Sequence, residues 1–202
     1  MPTNVLLVRH GQSTWNAAHR WQGQADPPLS EDGQDQARRA AERLGAFDAV
    51  VASDLDRARH TAEIIAACLG IGPVQIDPRL RENDAGEWTG LTHEEIHERW
   101  PGWIETSRRP PGFEPREHLV TRGFAALLAL GRQYPDGEVL AVSHGGLIRA
   151  VRDALGYPVQ HFANLWAAWF TVDERDIRAN RDVVMLIDDW TPPRSEDESE
   201  RV

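Results

Sequence analysis

A chain of 202 residues, 41% hydrophobic and 27% charged, has the length and composition of one folded domain with a sizeable core. Its formal net charge of −10 excludes attraction of nucleic acid or anionic membrane by the mean field, so an anionic ligand must meet a local convergence of cations. The single cysteine, Cys68, excludes an internal disulfide framework, and its place in the apolar-rich stretch Thr61–Leu69 predicts a buried thiol.

The first element is Val5-Leu6-Leu7-Val8, an apolar run ended by Arg9. It is too short for a signal peptide or a membrane span, so a cytoplasmic protein is expected. Ala49–Ala52 and Val139–Val142 are runs of the same kind, as expected of strands buried on both faces. Helical patterns lie between them at Glu31–Leu44, Asp56–Leu69, Thr92–Trp100 and Arg116–Tyr134. Ser30 and Asp56 are the expected N-caps, and Gly45 and Gly70 the expected C-caps. Pro101–Pro115 is a proline-bearing loop, and Val183–Ile187 a last strand near a sheet edge. Leu165–Phe170 suits either a core strand or a contact in a homodimer. Most of the eight tryptophans are expected in core and pocket-wall packing. Strands alternating with helices predict an α/β fold, a mainly parallel sheet flanked by helices on both faces. Residues 1–190 read as one domain, 83–115 as a lid-like insertion, and the polar segment 191–202 as a disordered tail.

Three strand ends carry the residues with chemical promise. Arg9-His10-Gly11-Gln12-Ser13 follows the first strand, and ligands of open α/β sheets bind beyond such carboxyl ends. An arginine can fork two phosphate oxygens, and a glycine lets the backbone approach a ligand. Alone this is weak, because a histidine beside an arginine is more often structural. However, Ser143-His144-Gly145-Gly146 repeats the arrangement at a helix start, where free amides favour an anion. Ser53-Asp54-Leu55-Asp56-Arg57-Ala58 adds a second arginine after a third strand. Unrelated loop residues would have to coincide three times.

With these residues in this order the chain resembles the histidine phosphatase (phosphoglycerate mutase-like) superfamily from Val5 to about Gly156. Further matches are Trp15-Asn16, Arg20-Trp21-Gln22-Gly23, Pro28-Leu29-Ser30, Thr61-Ala62, Arg81-Glu82 and Gly86-Glu87-Trp88-Thr89-Gly90-Leu91. One departure is Gly112-Phe113-Glu114-Pro115, where members often carry Gly-Glu-Ser. The resemblance implies a phosphoglycerate mutase-like fold and a metal-independent phosphatase without a cofactor, acting on a small phosphorylated metabolite. It implies that His10 becomes a phosphohistidine and that Arg9, Arg57, His144 and the Gly145 amide hold the phosphoryl oxygens. Asn16, Gln22 and Gly23 would bind the substrate. Glu82 would serve as general acid, although its plain alternative is a salt bridge with Arg81. Within the family, the alternatives are a cofactor-dependent phosphoglycerate mutase and a narrower sugar-phosphoglycerate phosphatase. Against the mutase, Asn83–Leu91 contains no lysine or arginine.

His93-Glu94-Glu95-Ile96-His97 also fits the H-E-x-x-H pattern of zinc hydrolases, with His118 or Glu117 as a third ligand. Thr92 and Glu95 form a Thr-x-x-Glu capping box, which explains the same residues without a metal. A non-enzymatic phosphate-binding relative is a further reading. It is disfavoured because both histidines, both arginines and Glu82 are all present.

Overall fold

The computed structural model describes residues 1–158 and 161–188, so the tail expected at 191–202 lies outside the described residues. The six strands are β1 (Thr3–Arg9), β2 (Ala49–Ala52), β3 (Gln75–Ile76), β4 (Glu138–Ser143), β5 (Trp166–Val172) and β6 (Ile177–Met185). They form one sheet in the order β3-β2-β4-β1-β5-β6. The β3–β2, β2–β4 and β4–β1 pairings are parallel, whereas β5 and β6 close one side antiparallel. The helices are α1 (Thr14–Ala17), α2 (Glu31–Ala41), α3 (Asp56–Leu69), α4 (His93–Arg99), α5 (Arg116–Gln133) and α6 (Gly145–Ala154).

The alternation of β1 explains the layering. Val5 and Leu7 face one core with residues of α5 and α6, and Leu6 and Val8 face another with residues of α2 and α3. All four are essentially fully buried. Each such side chain contributes roughly 1.5–3 kcal/mol relative to exposure, so an apolar run without alternation is what a two-sided core requires. No helix among the described residues is long and apolar enough to cross a membrane.

Several expectations change in detail. Of Leu165–Phe170, Trp166–Phe170 belongs to β5, which is paired on both sides, and Leu165, Ala167, Ala168 and Phe170 are buried, so the stretch is a core strand with the residue before it. Asp56 is the first helical residue of α3, not its N-cap. Leu55 caps, and the Asp26 carboxylate accepts the Asp56 amide at 2.6 Å. Gly70 is the left-handed C-cap expected, at φ 69°. Gly45 is not a cap, because α2 ends at Ala41 and the chain tightens into i→i−3 bonds from Arg43 and Leu44. Cys68 is exposed. The buried stripe of α3 runs through Ala58, Thr61, Ala62, Ile65 and Ala66, and Cys68 falls off it.

Segment 83–115 has a small apolar cluster of its own. Ala85, Trp88 and Ile96 are buried there beneath Trp21, Trp100, Trp103 and Phe113. Trp88 meets Trp21 at 5.0 Å and Phe113 at 5.9 Å, both edge to face. The tryptophans of this region thus act as wall packing.

Candidate active site

Strands β2, β4 and β1 are neighbours, so the three sequence stretches singled out above converge for a topological reason. Arg9 is in register with Ser143, and the His10 amide donates to the Ser143 carbonyl at 3.0 Å. The His10 and His144 rings then stand 5.1 Å apart, edge to face. Arg57 reaches the same place from the first turn of α3. One pocket is lined by Arg9, His10, Asn16, Gln22, Arg57 and Glu82, among others.

His10 is buried, with Nδ1 2.6 Å from the Gly11 carbonyl. A carbonyl only accepts, so Nδ1 carries the proton and Nε2 keeps its lone pair. Arg57 Nε donates towards that lone pair at 3.3 Å. Burial, then Arg57, then Arg9 push His10 well below the ordinary histidine value, against the opposing effect of the Gly11 bond. His144, the N-cap of α6, is fully buried and has neither ring nitrogen hydrogen-bonded. Burial lowers it most, followed by Arg57 and His10. A buried imidazole without partners is costly, and an oxyanion placed here would accept its N–H.

The same burial predicts a pH effect on stability. Both imidazoles are held neutral in the fold, so below about pH 6.5 the unfolded chain binds more protons than the folded one. Stability should fall as pH drops from 6.5 towards the depressed folded values, and this contribution should be flat above 6.5. The limiting slope for two such groups is about 2.7 kcal/mol per pH unit. Denaturant midpoints at pH 7.5, 6.5 and 5.5 measure it. The loss between the last two should shrink in His10→Asn, and an unchanged slope would refute the assignment.

Arg57 is fully buried, and its two terminal nitrogens donate to the carbonyls of Gly23 at 2.8 Å and Ala25 at 2.7 Å. Burial lowers it to about 10, which leaves it charged near neutral pH. Arg9 Nη1 donates to the Phe162 carbonyl at 2.6 Å, which anchors that guanidinium. Asn16 Oδ1 accepts from the Ser13 amide at 3.1 Å, and Gln22 Oε1 accepts from the Ser13 hydroxyl at 2.8 Å. Both side chains therefore turn their NH₂ groups to other uses. Gly23 sits at φ 51°, and a Cβ there would lie 2.7 Å from the Ala85 amide nitrogen.

Glu82 is not paired with Arg81. Arg81 instead forks Asp54 at 2.7 and 2.6 Å. The Glu82 carboxylate accepts from the amides of Asn83 at 2.9 Å and Gly146 at 3.0 Å. A Cβ on Gly146 would lie 2.3 Å from Glu82 Oε1, so the second glycine of Gly145-Gly146 is what lets the carboxylate rest on the start of α6. The backbone beneath Glu82 is also held. Arg122 on α5 donates to the carbonyls of Arg79, Arg81 and Glu82 at 2.8, 2.5 and 2.8 Å. Arg122 is itself gripped by both oxygens of Glu114 at 2.8 Å. Within the departing Gly112–Pro115 stretch, Glu114 thus serves as the anchor of this brace.

The capping box of Thr92 and Glu95 is present, and Glu95 also pairs with Arg20 at 3.1 Å. His93 lines the pocket beside Trp21, 5.7 Å between rings, while His97 lies 3.9 Å from Glu105. No group of three or more His, Cys, Asp or Glu side chains among the described residues is arranged around a metal position. Arg149 was not singled out above, yet it lines the pocket. Its signal is its position four residues after Gly145, one helical turn on along the same face of α6.

The family model of the histidine phosphatase superfamily (branch 1) matches residues 5–187, and the chain belongs to that superfamily. The glucosyl-3-phosphoglycerate phosphatase of Mycolicibacterium vanbaalenii is 37% identical over 210 aligned residues, covering 92% of this chain and 93% of that one. A probable phosphoglycerate mutase of Enterobacter is 39% identical over 163 residues, covering 76% of this chain and 75% of that one. Among solved structures, a mycobacterial glucosyl-3-phosphoglycerate phosphatase in complex with VO3 superposes with a TM-score of 0.78 at 34% identity, covering 88% of this chain and 96% of that one.

Proposed function

We propose that this chain is a phosphatase that hydrolyses phosphate monoesters through a phosphohistidine formed on His10. The observation that carries the reading is the tautomer of His10, with Nδ1–H tied to Gly11 and the Nε2 lone pair turned towards Arg57, while the charge of Arg9 also disfavours its protonation. Nε2 attacks phosphorus in line, and the P–O bond to the alcohol breaks. Arg9, Arg57, a His144 N–H and the Gly145 amide meet the equatorial oxygens, with the NH₂ groups of Asn16 and Gln22 beside them. Gly23 contributes through its carbonyl, which aims Arg57. Glu82 protonates the departing oxygen and then takes a proton from the water that cleaves the phosphohistidine.

Residues 1–190 are read as one domain, with 83–115 as a lid-like insertion that supplies Asn83, Ala85 and His93 to the pocket wall. A cytoplasmic setting suits a chain with one cysteine. Hydrolysis is favoured over isomerisation because Asn83–Leu91 carries Asp84 and Glu87 but no lysine or arginine. A mutase must shield its phosphohistidine from water, and such a stretch does little to retain an acidic intermediate. The mycobacterial relatives support glucosyl-3-phosphoglycerate as the narrower substrate.

Protein stripped with EDTA and checked for residual metal should release phosphate from p-nitrophenyl phosphate at its untreated rate. Given 3-phosphoglycerate and a trace of the bisphosphate, it should release phosphate faster than it forms 2-phosphoglycerate. Loss of turnover with stoichiometric zinc would revive the His93/His97 site, and faster isomerisation would establish the mutase.

A further inference from the structure

Arg122 is not among the residues that line the pocket beside His10. It faces the segment that leads from β3 to Glu82, where the short turn Pro78–Leu80 ends before the acid is reached. Carbonyls in such a stretch have no ladder partner and must find donors elsewhere. The Ser143 hydroxyl donates to the Leu80 carbonyl at 2.7 Å. Arg122 serves the carbonyls on either side, those of Arg79, Arg81 and Glu82, and Gln24 adds a second bond to Glu82 at 3.2 Å. The remaining Arg122 donors go to the two oxygens of Glu114. One N–H on Nε and two on each terminal nitrogen are therefore all engaged, which is the full capacity of a guanidinium.

This network fixes Glu82 at both ends. Its carbonyl is held to α5 by Arg122, and its carboxylate to the start of α6 by the Gly146 amide. Ser143 immediately precedes His144, so the same segment is tied to the strand end that delivers the imidazole. Glu114 extends the network to the neck of segment 83–115. Its carboxylate accepts from the Asp84 amide at 3.3 Å, and its own amide donates to the Asp84 carbonyl at 3.0 Å. Ala85 and Phe113 pair as an isolated bridge beside it. The two ends of the segment are thus clasped where Glu114 grips Arg122.

We propose that Arg122 is a positioning residue for proton delivery by Glu82, and that Glu114 ties that position to the neck of segment 83–115. The proposal rests on the phosphatase reading above. A proton passes to the departing oxygen only from a carboxyl held at the right place, and a displacement of about 1 Å can cost on the order of 10²-fold. Attack by His10 draws on none of these bonds. Loss of the brace should therefore be felt where a leaving group needs a proton, and little where it does not.

The test is rapid-quench measurement of the first turnover with 3-phosphoglycerate and with p-nitrophenyl phosphate. Arg122→Met keeps the aliphatic stem and removes every donor. It should slow phosphoryl transfer from 3-phosphoglycerate about 10–100-fold and from the aryl ester far less. Arg122→Lys should recover only part, because an ammonium cannot reproduce the fork. Glu114→Gln leaves Arg122 in place with one acceptor, and should show the same split in smaller measure even if Arg122→Met fails to fold. In a Glu82→Gln background, Arg122→Met should add little further loss on 3-phosphoglycerate, since both changes remove one function. A purely structural arginine would slow the two esters equally and add its full effect to Glu82→Gln. Either result, or no loss on 3-phosphoglycerate, would overturn the positioning role. If Glu82→Gln itself shows no split between the esters, the acid assignment and this proposal both fall while the phosphohistidine stands. No phosphate release from any ester by the wild type overturns the phosphatase reading as well.

Discussion

His10→Ala is expected to lower phosphate release on the order of 10⁴-fold or more while the protein stays folded. On the proposed mechanism the substitution removes the lone pair that attacks phosphorus, and the neighbouring imidazole is no substitute. His144 is fully buried, its ring 5.1 Å from that of His10, and its proposed place is beside the equatorial oxygens, out of line with the ester bond. The fold survives because the backbone of residue 10 is held independently of its ring, by the Ser143 carbonyl at 3.0 Å and the Asn164 amide at 2.8 Å. Arg57 likewise keeps its bonds to Gly23 and Ala25. Wild-type protein quenched during turnover should carry acid-labile, base-stable phosphate on His10, and the variant none. Circular dichroism and denaturant midpoints give the folding control. A folded His10→Ala protein with appreciable turnover would eliminate the covalent route.

Much of the fold was legible because its central strands are continuous apolar runs. Val5–Val8, Ala49–Ala52 and Val139–Val142 could only be satisfied by burial on both faces, and the structure places them side by side. β3 could not be read, since Gln75 and Ile76 are two exposed residues with no periodicity to detect. β5 was ambiguous for the opposite reason, an apolar stretch whose partners lie far away in sequence. The residues proposed to react were legible where a strand end delivers them, as with His10, His144 and Arg57. Arg149 and the Glu114–Arg122 brace were not, because their roles depend on how α5 and α6 pack beside the strand ends. Glu82 could be named but not oriented, since its carboxylate is aimed by an amide 64 positions away in the chain.

That orientation makes Glu82→Gln the more discriminating substitution. Glutamine keeps the size of the side chain and one acceptor oxygen, so the contact with the Gly146 amide can persist and the pocket should hold its shape. What it loses is the ability to hand over a proton. For a glycerate or sugar alkoxide, which leaves poorly without protonation, the phosphoryl-transfer step should slow by about 10²–10⁴-fold. Nitrophenolate leaves without a proton, so the same step with p-nitrophenyl phosphate should change far less. Steady-state rates mix this with hydrolysis of the phosphohistidine, where the Glu82 carboxylate is proposed to activate water. Rapid-quench measurement of the first turnover separates the two. With the aryl ester, Glu82→Gln should form phosphohistidine at close to the wild-type rate and then accumulate it, because the second step has lost its base. Equal slowing of the first step on both esters, with no accumulation, would assign Glu82 to holding the start of α6 and leave the proton donor to be found elsewhere.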